Sequence, residues 1–163
     1  MKKYKLNKKD FTTLSDGTKL YRVVALKDFS FVEKGDKGGY IQEEDNLSQE
    51  GNAWVYGNAW VYGNAWVSGN ARVYGNAWVY GNAWVSGNAW VYGNARVQKT
   101  PKIISGLYYP ITITETHAFV GCQGHTIEKW KTFSPTEISQ MDGEITTKFY
   151  PLLLSILNFL EKE

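Results

Sequence analysis

The chain has 163 residues, of which 18 are Lys or Arg and 16 are Asp or Glu. This near-neutral balance gives no reason to expect duplex nucleic acid or an anionic membrane as a partner. No apolar run approaches the roughly 18 residues that span a bilayer, the first residues lack the apolar segment of a secretory leader, and Cys122 stands alone. We therefore expect a cytoplasmic protein without a membrane segment or a disulfide.

The amino-terminal part, residues 1–50, is predicted to form a strand or hairpin and irregular capping coils. Lys19 to Leu26 is typical of a strand that follows an Asp16-Gly17 turn, and Gly35 to Gly39 indicates a tight loop. A spacing of six residues separates Ile41, Leu47 and Ala53. This spacing predicts one or two irregular coils. Five lysines among the first nine residues indicate a solvated tail without a binding role: Lys2, Lys3, Lys5, Lys8 and Lys9.

Eight uninterrupted copies of Gly-Asn-Ala-x-Val-x occupy Gly51 to Gln98. The alternation within Ala-x-Val-x predicts a strand that buries Ala and Val and exposes the two variable residues. Gly and Asn readily accept a positive φ, so each strand should end in a corner, and three corners close a triangle. The units resemble those of the hexapeptide-repeat left-handed β-helix, in which three units make one coil. This resemblance implies an all-β solenoid, a left-handed parallel β-helix of hexapeptide repeats over residues 51–98.

The carboxy-terminal part, residues 99–163, is predicted to be a small α/β cap made of a β-hairpin and helices. Ile111 to Thr114 and Ala118 to Gly121 form the predicted hairpin, closed by Glu115 to His117. Ser134-Pro135-Thr136-Glu137 is a capping box that opens a short helix, which should end at Asp142-Gly143. A second helix, from about Glu144 to Leu160, should bend near Pro151.

Every third unit should lie on the same face of the coil, which sorts the outward residues into three columns. Face one carries Trp54, Arg72 and Trp90 with Tyr56, Tyr74 and Tyr92; face two carries Trp60, Trp78 and Arg96 with Tyr62, Tyr80 and Gln98; face three carries Trp66 and Trp84 with Ser68 and Ser86. Arg72 and Arg96 should stack between indoles as cation–π spacers. We predict binding through the Trp, Tyr and Arg residues of face one and through Trp60, Trp78 and Arg96 of face two.

The outward aromatic area predicts a partner. Six of the 7 Trp and five of the 11 Tyr lie in the repeat. At roughly 150–250 Å² each, these side chains together have an area larger than the apolar patch of about 300–600 Å² that a soluble monomer usually exposes. A homo-oligomer is one expectation, supported by the apolar run from Leu152 to Leu160. A second reading is that the aromatics only suit strands and stack on one another.

Reactive side chains are scarce. The best-known left-handed β-helix proteins are acyltransferases with a coil histidine as general base, but Gly51 to Gln98 contains no His, Asp, Glu or Lys. Acyl transfer is therefore only a distant alternative. Cys122 and His125 have metal-ligand spacing, with His117 as the only further candidate nearby. A buried Cys and a turn His explain the pattern better, so no metal, cofactor or catalytic residue is expected.

A second resemblance spans nearly the whole chain. Tyr21 to Phe29, Gly35 to Ile41 and Asn46 to Val55 are similar to the opening of uncharacterised hexapeptide-repeat proteins of bacteriophages and prophages. Their endings are similar to the region that contains Ile111 to Thr114, His117, Gly121-Cys122, His125 and Glu128 to Trp130. The resemblance implies a phage or prophage origin without implying an activity.

Three functions follow as hypotheses. The first is a non-enzymatic interaction protein that binds a host or phage protein, with inhibition of a host defence system as its role. The second is a ligand-binding module whose Trp and Tyr columns stack on sugars or nucleotides. The third is a degenerate acyltransferase-like protein.

Overall fold

The computed structural model describes residues 1–161 and begins with an antiparallel sheet that leads into a β-solenoid. Strands β1 (Tyr4–Thr13), β2 (Lys19–Ala25) and β3 (Lys37–Ile41) pair in that order, and a 3-10 turn follows at Glu44–Asn46. β3 then pairs in parallel with a strand of the coil, Tyr40 opposite Trp60. The amino-terminal sheet and one face of the coil are therefore a single sheet.

The coil consists of two-residue strands, one for each repeat unit. They are β4 (Trp54–Val55), β5 (Trp60–Val61), β6 (Trp66–Val67), β7 (Arg72–Val73), β8 (Trp78–Val79), β9 (Trp84–Val85), β10 (Trp90–Val91) and β11 (Arg96–Val97). Parallel pairing joins Trp54 to Arg72 and Arg72 to Trp90, so one turn takes 18 residues, and the solenoid has about three turns. Every Ala and Val of the units is at most 1% exposed, which confirms the predicted inward face.

The corners follow from the Gly-Asn pairs. The glycine of each unit has a φ between 58° and 70°, a region that costs an L-residue about 1–2 kcal/mol. The asparagine side chains form ladders across turns: Asn52 Nδ2 donates to Asn70 Oδ1 at 3.1 Å, and Asn70 Nδ2 to Asn88 Oδ1 at 3.1 Å. Each turn is therefore fixed to the next at its corners as well as along its strands.

The first turn departs from the predicted spacing. Ile41 and Leu47 lie opposite Val61 and Val67, so both occupy valine positions, whereas Ala53 occupies the alanine position of its unit. Gln49 and Glu50 are two extra residues at the corner after Leu47, and they break the apparent six-residue register there. The inserted residues bind the amino-terminal segment: Gln49 Oε1 accepts hydrogen bonds from the backbone N–H groups of Lys3 and Tyr4.

The predicted tight loop at Gly35 to Gly39 is wrong, since residues from Lys37 onward form β3. A side chain is excluded at Gly38 and Gly39 because this strand passes directly under the first turn. A Cβ on Gly38 would lie 2.5 Å from the Val55 carbonyl oxygen, and one on Gly39 would lie 2.5 Å from that of Ala59. The glycines therefore permit close backbone contact between the amino-terminal sheet and the coil.

The prediction of a solvated basic tail is wrong for the backbone and for Lys3, although the side chains of Lys2, Lys5, Lys8 and Lys9 are exposed. Residues from Tyr4 belong to β1, and Lys3 is 1% exposed, with Nζ donating to the carbonyls of Glu50, Gly51 and Ala53 at 3.3, 3.4 and 3.0 Å. Burial, with a smaller contribution from Lys27, lowers the pKa of Lys3 from 10.5 to about 8. The backbone carbonyls at the open end of the coil supply the partners that make this burial possible.

Side chains cover both ends of the coil, and at each end they complement the backbone groups that the terminal turn leaves free. Each turn directs its N–H groups toward the next turn, as in Trp54 N–H to the Ala71 carbonyl, so carbonyls remain at the first turn and N–H groups at the last. Donors cover the first end: Lys3, and Asn46 Nδ2, which bonds the carbonyls of Gly63 and Ala65. Acceptors cover the last end: Thr100 for Trp84 N–H, Thr112 for Trp90 N–H, and Glu115 for the N–H groups of Gln98 and Lys99.

The carboxy-terminal module combines a four-stranded antiparallel sheet with helices. Its elements are β12 (Lys102–Ile104), β13 (Ile111–Ile113), β14 (His117–Val120), β15 (Gln123–Thr126), α1 (Ile127–Thr132) and α2 (Pro135–Leu160). The predicted hairpin is present as β13 and β14, but His117 belongs to the strand rather than to the turn. The sequence reading missed β15 and the short helix α1.

Helix α2 starts and breaks as the sequence predicts. Ser134 Oγ accepts from the Glu137 N–H, and the Glu137 carboxylate accepts from the Ser134 N–H. Asp142 and Gly143 have non-helical dihedral angles, which divide α2 at the predicted position, and Pro151 lies inside the second part. Leu153 and Leu157 pack into the module, whereas Ile145, Leu152 and Phe159 are exposed. No helix within residues 1–161 is long and apolar enough to cross a membrane.

Candidate binding surface on the coil

The three columns lie where the three-unit period predicts. β4, β7 and β10 form the sheet of face one, β5, β8 and β11 form face two as a continuation of the amino-terminal sheet, and β6 pairs with β9 on face three. The columns differ in how far their aromatic rings are covered. This difference decides which predicted binding residues are accessible.

Trp54 is buried, which contradicts its predicted role as an exposed binding residue. Its indole is 1% exposed and makes edge contacts with Tyr4, Phe29 and Tyr56 at centroid distances of 6.2, 5.3 and 6.5 Å. The amino-terminal segment covers it because the first turn has no preceding turn to pack against. Trp54 is therefore a core residue of the amino-terminal cap.

The remaining residues of face one surround an open cleft of about 340 Å³, lined by Phe31, Tyr56, Arg72, Tyr74 and Trp90. The Arg72 guanidinium lies between two rings, with its carbon 4.5 Å from the centroid of Phe31 and 5.3 Å from that of Trp90. The predicted cation–π stacking of Arg72 is therefore present, but Phe31 takes the place expected for Trp54. Phe31 is 73% exposed and forms the outer wall of the cleft.

Arg72 is held in place by rings alone. Within residues 1–161, no hydrogen bond or ion pair engages its guanidinium, and no carboxylate belongs to the lining of the cleft. The guanidinium therefore presents five N–H donors in a fixed plane at the floor of an aromatic cleft. Such a group is suited to a carboxylate or phosphate brought by a ligand.

Tyrosines extend the cleft toward the carboxy-terminal module. Tyr74 and Tyr92 are stacked at 4.7 Å with an interplanar angle of 11°, and Tyr92 packs on Phe119 at 4.6 Å. Burial raises the pKa of Tyr56, Tyr74 and Tyr92, so these phenols are neutral at physiological pH. The Tyr92 hydroxyl is buried and has no hydrogen-bond partner among the described residues. Tyr92 is therefore packed under the module, whereas Tyr74 reaches the cleft.

Face two is occupied by its own stack. Trp60 and Trp78 are parallel at 4.5 Å, and the Arg96 guanidinium lies 3.9 Å from the Trp78 centroid as a terminal cover instead of a spacer between indoles. Arg96 Nη1 also donates to the Asn76 carbonyl at 2.9 Å. At the other end of the column, Arg22 lies 4.0 Å from the Tyr40 centroid. Arg96 thus covers one end of the Trp60–Trp78 stack, and its donor group is already engaged.

Face three carries the two most exposed tryptophans of the coil. Trp66 is 37% and Trp84 is 56% exposed, and their rings meet edge to face at 5.4 Å. They line an open cleft with Glu44 and Asp45, which the 3-10 turn brings beside them. The sequence analysis assigned no binding role to these four residues or to Phe31. Glu44, Asp45 and Phe31 come from segments outside the repeat, so the period of the repeat does not place them beside the coil.

The three weak metal candidates do not form a metal site. Cys122 is exposed, His117 stacks on Phe119 at 6.0 Å, and His125 lies between Trp130 and Phe133 at 5.1 and 4.9 Å. Burial lowers the pKa of both histidines, with Lys129 as a further cause at His125. Within residues 1–161, no group of three His, Cys, Asp or Glu side chains could hold a metal ion.

Comparison with known proteins identifies the repeat. Residues 53–69, 65–81, 71–87 and 77–93 match the family model described as YdcK beta solenoid repeat. A search of curated proteins finds no match to this chain. The coil is therefore similar to a known β-solenoid repeat over residues 53–93.

Proposed function

We propose that this protein is a non-enzymatic binding protein whose coil engages a macromolecular partner through the cleft of face one. The observation that carries the proposal is Arg72, a guanidinium clamped between Phe31 and Trp90 with no hydrogen-bond acceptor among the residues that the structure describes. The partner is a host or phage protein that brings an acidic side chain to this guanidinium. Because the ordered coil holds the cleft in shape, little conformational entropy is lost on binding.

The residue types of the cleft support a protein partner. Trp, Tyr and Arg are enriched among interface residues whose truncation costs about 2 kcal/mol or more. Face one combines all three in Trp90, Tyr74 and Arg72, and each remains accessible beside Phe31. The coil contributes no general base, since residues 51–98 contain no His, Asp, Glu or Lys, and this disfavours the alternative of an acyltransferase.

The biological setting is part of the same proposal. The resemblance of Tyr21 to Phe29 and of the carboxy-terminal segments to phage and prophage proteins supports a phage origin, a left-handed hexapeptide coil and action in the cytoplasm of a bacterial host. A phage protein that binds without catalysis is suited to blocking a host component. Inhibition of a bacterial defence system is therefore the consequence that we propose.

Affinity capture from bacterial lysate tests this proposal. The immobilised wild type should retain a partner protein. The affinity for this partner should fall by a factor of about 30 or more in Arg72→Ala and in Trp90→Ser, as expected for an interface residue whose truncation costs about 2 kcal/mol. Trp84→Ser on face three and the double variant His117→Ala/His125→Ala are matched controls that should retain it. Retention by Arg72→Ala, or loss only in the histidine variant, would contradict the assignment of the site.

A second candidate function is sugar binding on face three. Two exposed indoles beside the carboxylates of Glu44 and Asp45 offer stacking surfaces together with acceptors for hydroxyl groups. The Asp45 carboxylate disfavours a nucleotide phosphate at the same place, whereas the Glu44 carboxylate is already paired with Lys2 at 2.7 Å. Glycan-array binding that Trp84→Ser abolishes and Arg72→Ala leaves unchanged would favour this function, and absence of array binding would exclude it.

A further inference from the structure

A separate cavity lies inside the carboxy-terminal module, on the side of the sheet that α2 covers. It measures about 170 Å³, and Asp142, at the break in α2, is one of its lining residues. Its walls are mainly apolar and include Val120, Trp130, Met141, Phe149 and Leu153. The binding function proposed for face one does not use this space.

One polar group in the cavity lacks a partner. Thr146 is only 9% exposed, and its hydroxyl makes no hydrogen bond with the described residues. The neighbouring Tyr109 hydroxyl donates to the Asp142 carboxylate, and its position relative to the Thr146 hydroxyl does not meet hydrogen-bond geometry. Burial of an unsatisfied hydroxyl is unfavourable, so a ligand that bonds to it recovers free energy that the free protein lacks.

We propose that this cavity binds a small neutral ligand consisting of one aromatic ring with a hydroxyl substituent. An apolar cavity of about 150 Å³ holds a single benzene-sized ring, which sets the size of the ligand. Edge contacts with Trp130 and Phe149 suit the ring, and the Thr146 hydroxyl suits the substituent. An anionic ligand is excluded by the apolar walls and by the Asp142 carboxylate in the lining.

Cys122 provides a local readout because it is the only cysteine of the chain, is exposed and lines the same cavity. A ligand in the cavity should slow alkylation of this thiol by iodoacetamide. Phenol, benzene and benzoate are the probes, and titration calorimetry measures their affinities for the full chain. Phenol should bind saturably and protect Cys122, benzene should bind more weakly than phenol, and benzoate should not bind at the same concentration.

Variants of Thr146 separate the hydrogen bond from the shape of the cavity. Thr146→Val should weaken phenol binding about fivefold, as for one neutral hydrogen bond, and leave benzene binding unchanged. Thr146→Ser keeps a hydroxyl and should keep the preference for phenol, while Arg72→Ala should have no effect. The proposal is overturned if phenol gives no saturable heat, if it binds without protecting Cys122, or if Thr146→Val weakens phenol and benzene equally.

Discussion

At the scale of single residues, burial distinguishes tryptophans that the repeat makes equivalent. Trp54, Trp66 and Trp84 occupy the same position of their units but are 1%, 37% and 56% exposed. The spacing of the repeat predicts that all three point outward, and only the structure shows that Tyr4 and Phe29 cover the first. These covering residues follow no period, so the sequence could not predict the burial.

Trp54 should therefore contribute to stability and Trp84 should not. Trp54→Ala removes a buried indole and should lower the free energy of unfolding by about 3–5 kcal/mol. Trp84→Ala, at an exposed position of the same unit type, should change it by less than about 1 kcal/mol. Equilibrium urea unfolding measures both values, and equal losses would contradict the assigned burial.

Lys3 should give the stability a measurable dependence on pH. Its folded pKa of about 8 lies below its ordinary value of 10.5, so between these values the unfolded chain holds a proton that the folded chain has released. Stability must then rise with pH in that window. The difference in unfolding free energy between the wild type and Lys3→Met should increase from about pH 8 to 10. A falling or constant difference for Lys3→Met would contradict its burial.

At the scale of elements, the coil follows from its sequence and the ends do not. The alternation of Ala and Val predicts the inward face, and the Gly-Asn pairs predict the corners, because one short unit determines both. The edge-covering contacts of Lys3, Asn46, Thr112 and Glu115 depend on segments that fold back from outside the repeat. The sequence indicated that caps were needed but not which side chains would supply them.

Two glycines of the repeat should respond differently to the same substitution. Gly51 and Gly93 both have a φ of 66°, so Ala costs about 1–2 kcal/mol at either position. A Cβ on Gly51 would also lie 2.7 Å from the Gly69 carbonyl oxygen, whereas nothing lies within 4 Å of one on Gly93. Gly51→Ala should therefore destabilise by about 1–3 kcal/mol more than Gly93→Ala. Thermal unfolding followed by circular dichroism compares them, and a larger effect at Gly93 would refute the stacking of the turns.

At the scale of the whole molecule, the closed ends and the open faces indicate where a partner can attach. End-to-end addition of another coil is disfavoured, since the backbone groups of both terminal turns are already hydrogen-bonded at the positions described above. The Trp, Tyr and Arg residues in one column are the reason for predicting a binding surface on face one. The cleft that we propose there also contains Phe31, which comes from the loop between β2 and β3 and is not described by the repeat.

Self-association is expected through α2 rather than through the coil. Ile145, Leu152 and Phe159 are exposed and spaced by about two helical turns, so they form a row on one side of the helix. Sedimentation velocity at micromolar concentration should show an oligomer that Phe159→Glu dissociates. Tyr108→Glu, at an exposed aromatic outside the row, should leave it intact, and a monomeric wild type would contradict the expectation.

The most direct test of the central claim is site-specific photo-crosslinking from the cleft of face one. A benzophenone amino acid replaces Phe31 at the cleft wall or Tyr108, an exposed aromatic outside the lining of the cleft, and the tagged protein is irradiated in bacterial lysate. We predict a discrete crosslinked protein from position 31 that Arg72→Ala removes, and none from position 108. Equal crosslinking from both positions, or crosslinking from position 31 that survives Arg72→Ala, would show that the Arg72 cleft is not the binding site.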